Sequence, residues 1–262
     1  AKYRAMRRLW ARIMRERFKA RDERSCMFRF GVVCGGSSLT LQEPHNNIVR
    51  VTTEALASVL GGAQTIFTCA WDEAHALPTE ASALLALRTQ QILAYESSAA
   101  NTVDPLGGSY YVEALTDATE RAMAEKIAQI EAAGGMVRAI QEGWIQREIS
   151  ESAFKHQRAV EAGERIVVGV NKFARKGAQE KIETYRQDPG GVERQLRRLA
   201  DVRRERDAAR AARALERLHL AAAGTENLML SILEAVEADC TIGEIAETLR
   251  KVFGEFQEPL VF

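Results

Sequence analysis

CMFRFGVVC, residues 26–34, is a short apolar run of strand composition, and Gly35, Gly36, Ser37 and Ser38 break it at once. Residues 42–60 then read as a helix, with Ile48, Val51, Leu56 and Val59 at apolar positions, Pro44 in its first turn and Gly61-Gly62 at its end. AQTIFTCA, residues 63–70, is a second strand, and residues 71–78 are a loop or a short helical turn. Thr79 caps a further helix to about residue 97, with Ser82 three residues on in place of the Glu of a capping box. Strand, helix, strand, helix at this spacing predicts parallel βα units, because parallel neighbours need a crossover connection. Two such units cannot close a sheet; in a (β/α)8 barrel they are about a quarter of the ring. The residues therefore predict an α/β fold, part of a (β/α)8 TIM-type barrel with a mainly helical tail.

Upstream, residues 1–18 read as a helix, with Tyr3, Met6, Leu9, Trp10, Ile13, Met14 and Phe18 at helical spacing and arginines between them. No Ser, Thr, Asp or Asn cap precedes the pattern, so the chain reads as beginning inside a helix, as a fragment or one piece of a split protein does. Residues 19–25 are a charged turn.

Downstream, TVDPLGGSYYVEALT, residues 102–116, is neither strand nor regular helix. Pro105 fixes one backbone angle, and Gly107 and Gly108 allow close approaches that a side chain forbids. Such a turn brings bare backbone against a large flat ligand, or it is a connecting loop with a helix start; the residues leave both open. Helices are predicted over 115–133, 136–142 and 148–162, ended by Gly134-Gly135, Gly143 and Gly163. RIVVGV, residues 165–170, reads as a last strand and 172–191 as a polar linker. Residues 191–220 interleave arginines with acids beside Leu196, Leu199, Val202, Leu215 and Leu218, the pattern of a solvated helix packed on one side. Two more helices follow over 227–237 and 241–253, the second opened by the T-x-x-E capping box of Thr241 and Glu244.

Lysine plus arginine equals aspartate plus glutamate, 36 of each, which argues against a nucleic-acid binder with its basic footprint. No apolar run reaches the length of a membrane span, and the basic, helical start is unlike a signal peptide. Cys26, Cys34, Cys69 and Cys240 form no CxxC pair and read as buried free thiols in a reducing cytoplasm, with no metal site. Asp72, Glu73 and His75 sit within one turn and resemble a metal or acid-base cluster, but no partner from elsewhere is evident, which favours a structural or surface role. GxSxG, P-loop, Rossmann and HExxH motifs are absent, and no catalytic residue can be named from the chain itself.

Several long phrases, in order, resemble the large, substrate-binding subunit of coenzyme B12-dependent acyl-CoA mutases, the methylmalonyl-CoA mutase family. They are SLTLQEPHNNIVRVTTEALASVLGGAQT, DEAHALPTEASALLALRTQQILAYES, TVDPLGGSYYVEALT, and GGMVRAI followed by IVVGVNKFA. The resemblance is to the second half of that subunit, and it implies the C-terminal part of a (β/α)8 TIM-type barrel followed by a mainly helical C-terminal extension. It implies three segments: 1–135 as the C-terminal part of the barrel, 136–190 as a helical segment and linker, and 191–262 as a helical extension. It implies an acyl-CoA thiolester threaded along the barrel axis and adenosylcobalamin across one end, bound with a separate cobalamin-binding domain or small subunit in a hetero-oligomer. The implied reaction is radical carbon-skeleton isomerisation, (R)-methylmalonyl-CoA to succinyl-CoA by default, with isobutyryl-CoA or 2-hydroxyisobutyryl-CoA as alternative substrates. By motif match, Arg17 in RERF resembles an arginine that binds CoA phosphate, or is a solvated helix-end arginine. Gln64 in GGAQT resembles a glutamine at a strand end facing substrate and corrin, and Asp104, Pro105 and Gly107 in DPLGGS resemble the loop under the corrin.

The departures are informative. The family commonly carries a polar strand close to RFHTQTAG where this chain has RFGVVCGG, so Gly31, Val32, Val33 and Cys34 replace polar residues. The upstream strands that grip the acyl group have no counterpart here, and the cobalamin domain's DxHxxG signature is absent; Asp72-Glu73-Ala74-His75 does not match it, so His75 is not assigned as a cobalt ligand. A missing N-terminal half of the barrel is thus an implied partner, and a non-catalytic fragment or assembly module is the competing expectation.

Overall fold

The computed structural model describes residues 1–175, 177 and 181–258. The chain divides into two compact units, Ala1–Tyr185 and a second that begins at Arg186.

The first unit opens with α1 (Lys2–Glu16), which buries Ala5 and Leu9. A 3-10 turn at Glu23–Cys26 follows, its Asp22 cap accepting from the Arg24 N–H. Then come β1 (Gly31–Val33), α2 (Asn46–Leu60), β2 (Thr65–Phe67) and α3 (Glu80–Tyr95). β1 and β2 pair in parallel, with Gly31 opposite Thr65, Val32 opposite Ile66 and Val33 opposite Phe67. The α2 crossover between them makes the parallel unit that the sequence predicts. The two faces of this sheet differ because side chains alternate. Ile66 packs on the cluster of Cys34, Ala55 and Leu93 beneath the helices. Gly31, Val33, Thr65 and Phe67 share the opposite, exposed face.

Asn47, fully buried at the start of α2, ties both strand exits together. Its Nδ2 donates to the Thr40 and Trp71 carbonyls at 2.9 Å each. Its Oδ1 accepts from the Thr40 N–H at 3.1 Å and from Arg50 at 2.7 Å. Every donor and acceptor of the amide is used, so a buried polar residue here costs little.

The unit continues with α4 (Tyr110–Ala132), α5 (Met136–Gln141) and α6 (Trp144–Glu161). α1 lies against α4 through an ionic ladder, Arg4 to Glu113, Arg8 to Asp117 and Glu120, and Arg12 to Glu120. The second unit is helical: α7 (Pro189–Glu205), α8 (Ala208–Ala223), α9 (Leu228–Glu237) and α10 (Ile242–Phe253). Small residues let its helices approach closely: Ala211, Ala214, Ala235 and Ala238 form the core, with Leu215, Cys240 and Ile245 against it. Leu218 is fully buried, contributing about 2–3 kcal/mol.

Several predicted boundaries move. The strand expected over 26–34 is regular only at Gly31–Val33, and that expected over 63–70 only at Thr65–Phe67. Ladder bonds form where a partner runs alongside. Before β1, Phe28 and Phe30 instead stack in a row with Trp10 and Tyr3 of α1, ring centroids 5.2–5.3 Å apart. α2 starts at Asn46 rather than residue 42, leaving Pro44 in the preceding turn. α4 starts at Tyr110 rather than 115, because Glu113 reaches back to accept the Gly108 N–H at 3.0 Å. α6 starts at Trp144 rather than 148, at Gly143 in a left-handed conformation. Residues 165–170 are not a strand. Asn171 accepts from the Val167 N–H at 2.7 Å and donates to the Val160 and Arg165 carbonyls at 2.8 and 2.7 Å, winding the segment into turns with one isolated bridge, Val168 to Lys172. The charged run over 191–220 breaks at Arg206 and Asp207, where Asp207 caps α8 by accepting from the Arg210 N–H. The linker expected over 172–191 falls partly, and residues 259–262 wholly, outside the described residues.

Burial governs the thiols. The Cys69 Sγ–H donates to the Cys34 carbonyl at 2.8 Å. Burial, with Glu73 beside it, pushes the Cys69 thiol up to about 12, and burial raises Cys34 as well. A rise from 9.0 to about 12 leaves on the order of a thousandfold less thiolate at pH 8. Iodoacetamide at pH 8 is therefore expected to spare Cys69 in the native chain and to alkylate it in urea. Peptide mass spectrometry reads the difference, and equal native and unfolded labelling rates would refute the burial argument.

Candidate functional site

The strand pair has two ends, and the expected site residues fall mainly at one of them. At the amino end, Gln64 sits just before β2. Its Oε1 accepts from the Phe30 N–H at 3.0 Å and its Nε2 donates to the Gly62 carbonyl at 3.0 Å. Gln64 therefore clips the start of β1 to the turn after α2. Beside it opens a cavity of about 380 Å³, lined by Arg7, Val59, Gln64, Val103, Asp104 and Pro105 among others. Arg7 Nη1 donates to the Gly61 and Gly62 carbonyls at 2.7 and 3.2 Å. The guanidinium has five N–H donors, so this leaves a cation with donors to spare at the cavity.

The Asp104–Gly108 turn is built for tightness. Asp104 is left-handed at φ 50°. The Gly107 N–H donates to the Asp104 carbonyl at 2.9 Å. A Cβ on Gly107 would lie 3.0 Å from Asp104 Oδ2, so only glycine fits without a shift. Arg4 of α1 bonds the Asp104 carboxylate and reaches Glu113 at 2.5 Å. The Gly108 N–H and Arg4 together hold the Glu113 carboxyl below its ordinary range. Gln64, Asp104 and Pro105 thus share one cavity, with Gly107 in the same turn.

Arg17 is not part of that group. It lies ten residues beyond Arg7, roughly 15 Å along α1 at about 1.5 Å per residue. It pairs with Glu131 and lies over the Phe18 ring at 5.6 Å.

At the carboxyl end of the strands, Cys69 and Cys34 join the two exits, and Ser38 donates to Glu54 at 2.5 Å. A Cβ on Gly36 would meet the Glu73 carboxylate, the end of a flexible side chain that would have to shift. Asp72 is buried, its Oδ2 accepting from the Thr79 N–H at 3.4 Å, which steadies the turn before α3. His75 Nε2 lies 3.2 Å from the Leu41 carbonyl. Asp72 and His75 are engaged in holding loops. Among the described residues, no group of three or more His, Cys, Asp and Glu is placed to hold a metal.

Two features of the site were not apparent in the sequence. Arg4 and Arg7 look like any arginines of an amphipathic helix, yet they hold the Asp104 turn and the end of α2. The exposed face of Gly31, Val33, Thr65 and Phe67 was hidden because two short apolar runs do not say which side faces the helices.

The comparisons with known proteins agree along nearly the whole chain. The family model described as "Methylmalonyl-CoA mutase" matches residues 1–255. Among curated proteins, the chain is similar to the "2-hydroxyisobutanoyl-CoA mutase large subunit" of Aquincola tertiaricarbonis, 42% identical over 263 residues that cover 100% of this chain and 47% of that protein. It is similar to the "Probable methylmalonyl-CoA mutase, mitochondrial" of Caenorhabditis elegans, at 43% identity covering 97% of this chain and 34% of that protein. The "Methylmalonyl-CoA mutase" of Rhizobium meliloti (strain 1021) is 42% identical, with 98% and 36% covered. The chain spans about half or less of the length of these relatives.

Proposed function

The chain belongs to the methylmalonyl-CoA mutase family, and from that premise we propose that it is the C-terminal part of a large subunit of an acyl-CoA mutase. One observation carries the reading. The parallel β1-α2-β2 unit buries one face under helices and leaves Gly31, Val33, Thr65 and Phe67 bare on the other. A barrel strand does this: its outer face meets the helix ring and its inner face lines the interior. The remaining strands of such a barrel would be supplied by residues outside this sequence.

The two ends divide the work. Reacting groups in barrel enzymes gather at the carboxyl ends of the strands. The amino end, with Arg7 and Gln64 at a mixed polar and apolar cavity, takes the tail of the CoA thiolester. On this reading Asp104, Pro105 and Gly107 shape the entry for substrate, and Arg17 receives a more distant CoA phosphate. The corrin-facing role expected of Gln64, Asp104, Pro105 and Gly107 is the alternative reading of the same residues. Gln64 and Asp104 already use their polar atoms within the protein, and they stand at the opposite end from the strand exits. At those exits Gly35 is exposed, with only Ser37 Oγ near the place of a side chain, and such bare backbone suits a large flat group. Adenosylcobalamin, bound with a separate cobalamin-binding small subunit, supplies the radical chemistry there. This chain binds and orients the thiolester and keeps water out. (R)-methylmalonyl-CoA to succinyl-CoA is the family's default reaction, with isobutyryl-CoA and 2-hydroxyisobutyryl-CoA as the alternatives. No helix among the described residues is long and apolar enough to cross a membrane, and four free cysteines suit a cytoplasmic setting.

The test is reconstitution. The chain is co-expressed with a polypeptide supplying the first half of the barrel and with a small cobalamin-binding subunit. Adenosylcobalamin and each of the three acyl-CoA thiolesters are then added. Turnover that depends on this chain is the expected result. A corrin-loaded complex that isomerises none of the three would overturn the enzyme reading in favour of a non-catalytic assembly module.

A further inference from the structure

We infer that the acyl group held against this strand pair is a branched, uncharged hydrocarbon rather than a carboxylate-bearing one. The inference rests on the barrel reading above. The four residues of the bare face form a two-by-two patch, Gly31 beside Thr65 and Val33 beside Phe67. Val33 and Phe67 stand at the carboxyl end of the pair, 70% and 67% exposed, with no side chain of this unit covering them. Thr65, at the amino end, is the patch's one polar side chain. None of the four patch residues carries a charge; exposed Arg29, on the same side by alternation, precedes Gly31 by two residues and so stands beyond the amino end, away from Val33 and Phe67.

A carboxylate brought against Val33 and Phe67 loses its water and gains no donor from them, and burying an unpaired charge is strongly unfavourable. Isobutyryl and methylmalonyl groups differ at one position, a methyl against a carboxylate, so this wall discriminates at the atom that distinguishes them. Gly31 adds room. A Cβ there would meet Thr65 Cβ at 3.6 Å and the Thr65 carbonyl at 3.8 Å, ordinary contacts. Packing therefore does not require the glycine, and its missing side chain leaves a notch beside Val33 that accepts a branching methyl. Val33 and Phe67 supply apolar area to bury against it, worth about 25 cal/mol per Å² covered.

The test uses the reconstituted complex and two probes, isobutyryl-CoA and methylmalonyl-CoA. Equilibrium binding and turnover are both measured. The expected result is tighter binding of isobutyryl-CoA by tenfold or more, with the same order in kcat/KM. The double substitution Val33→Gln, Phe67→Asn is expected to shrink that ratio at least tenfold. Gly31→Ala is expected to weaken isobutyryl-CoA binding while leaving the thermal unfolding temperature unchanged, since the site has room for the methyl. Equal binding, or a preference for methylmalonyl-CoA, overturns the inference and leaves the mutase reading standing. Preferential binding of isobutyryl-CoA without turnover of any thiolester overturns the mutase reading and leaves the inference standing. Binding of neither probe overturns both.

Discussion

Replacing Arg8 and Arg12 together by alanine is expected to destabilise the first unit by about 3–5 kcal/mol, the cost of leaving a buried charge without its partners. The asymmetry of the site sets the size. The side chain of Glu120 is 5% exposed, whereas those of Arg8 and Arg12 are 42% and 52% exposed. Either arginine can turn to water when its partner is lost; the carboxylate cannot. Glu120 meets Arg8 through Nε and Arg12 through Nη2, the latter at 2.7 Å. Arg8 also reaches Asp117 at 2.6 Å. Removing Glu120 alone, as Glu120→Gln, should therefore cost less, about 1–2 kcal/mol, because the arginines left behind are exposed to water and no buried charge is left unpaired. Glu120→Met in the Arg8→Ala, Arg12→Ala background should recover most of the loss. Urea unfolding followed by circular dichroism gives all three numbers. A double arginine variant less than about 1 kcal/mol below the parent would show that α1 and α4 are held by their apolar contacts instead.

The second large effect lies in the second unit. Glu244→Ala is expected to lower its stability by about 2–4 kcal/mol at pH 7, through a lost ion pair and a lost cap. Arg206 grips both carboxylate oxygens, Nη1 and Nη2 each at 2.7 Å. The same carboxylate accepts from the Thr241 N–H at 2.7 Å and closes the capping box of α10. The Arg206 fork, then the Thr241 groups, hold the Glu244 carboxyl down at about 2, against burial that pulls the other way. Since its pKa is lower folded than unfolded, the stabilisation is fully present above about 4.5 and is lost as pH falls toward about 2. The side chain is 26% exposed, so solvent screening trims the gain to about 2 kcal/mol. Titrating the urea midpoint of the second unit's transition from pH 7 to pH 2.5 should show a fall that Glu244→Gln lacks, while Gln keeps an oxygen for the cap. Equal acid sensitivity of the two proteins would remove Glu244 as the cause.

This pair also marks how far the sequence reached. The T-x-x-E box was legible because its members sit within one turn and their geometry is local. Arg206 was not legible as its partner. It was one of many arginines in a charged run, and only the break between α7 and α8 turns it toward α10. The Gly-Pro turn at Asp104–Gly108 was likewise read as special, but the arginine that holds Asp104 lies 100 residues upstream. Gln64 was picked out by resemblance, and the structure adds that its amide is spent on Phe30 and Gly62. The start of α4 was missed by five residues although Ser109 stands at its N-cap; the serine side chain makes no capping bond, and Glu113 accepts the Gly108 N–H from inside the helix.

What the sequence determined by itself was the order and kind of the elements: helices from apolar spacing and caps, and a parallel strand pair from the helix between its strands. These follow from forces acting within a few residues. The tertiary structure decided how long each strand is, which face of the pair stays bare, and which carboxylate each arginine meets. Ladder bonds need a neighbouring strand, and a face is buried only when something lies against it. Arg8 finds Glu120 across 112 residues of chain, and no local pattern encodes that meeting.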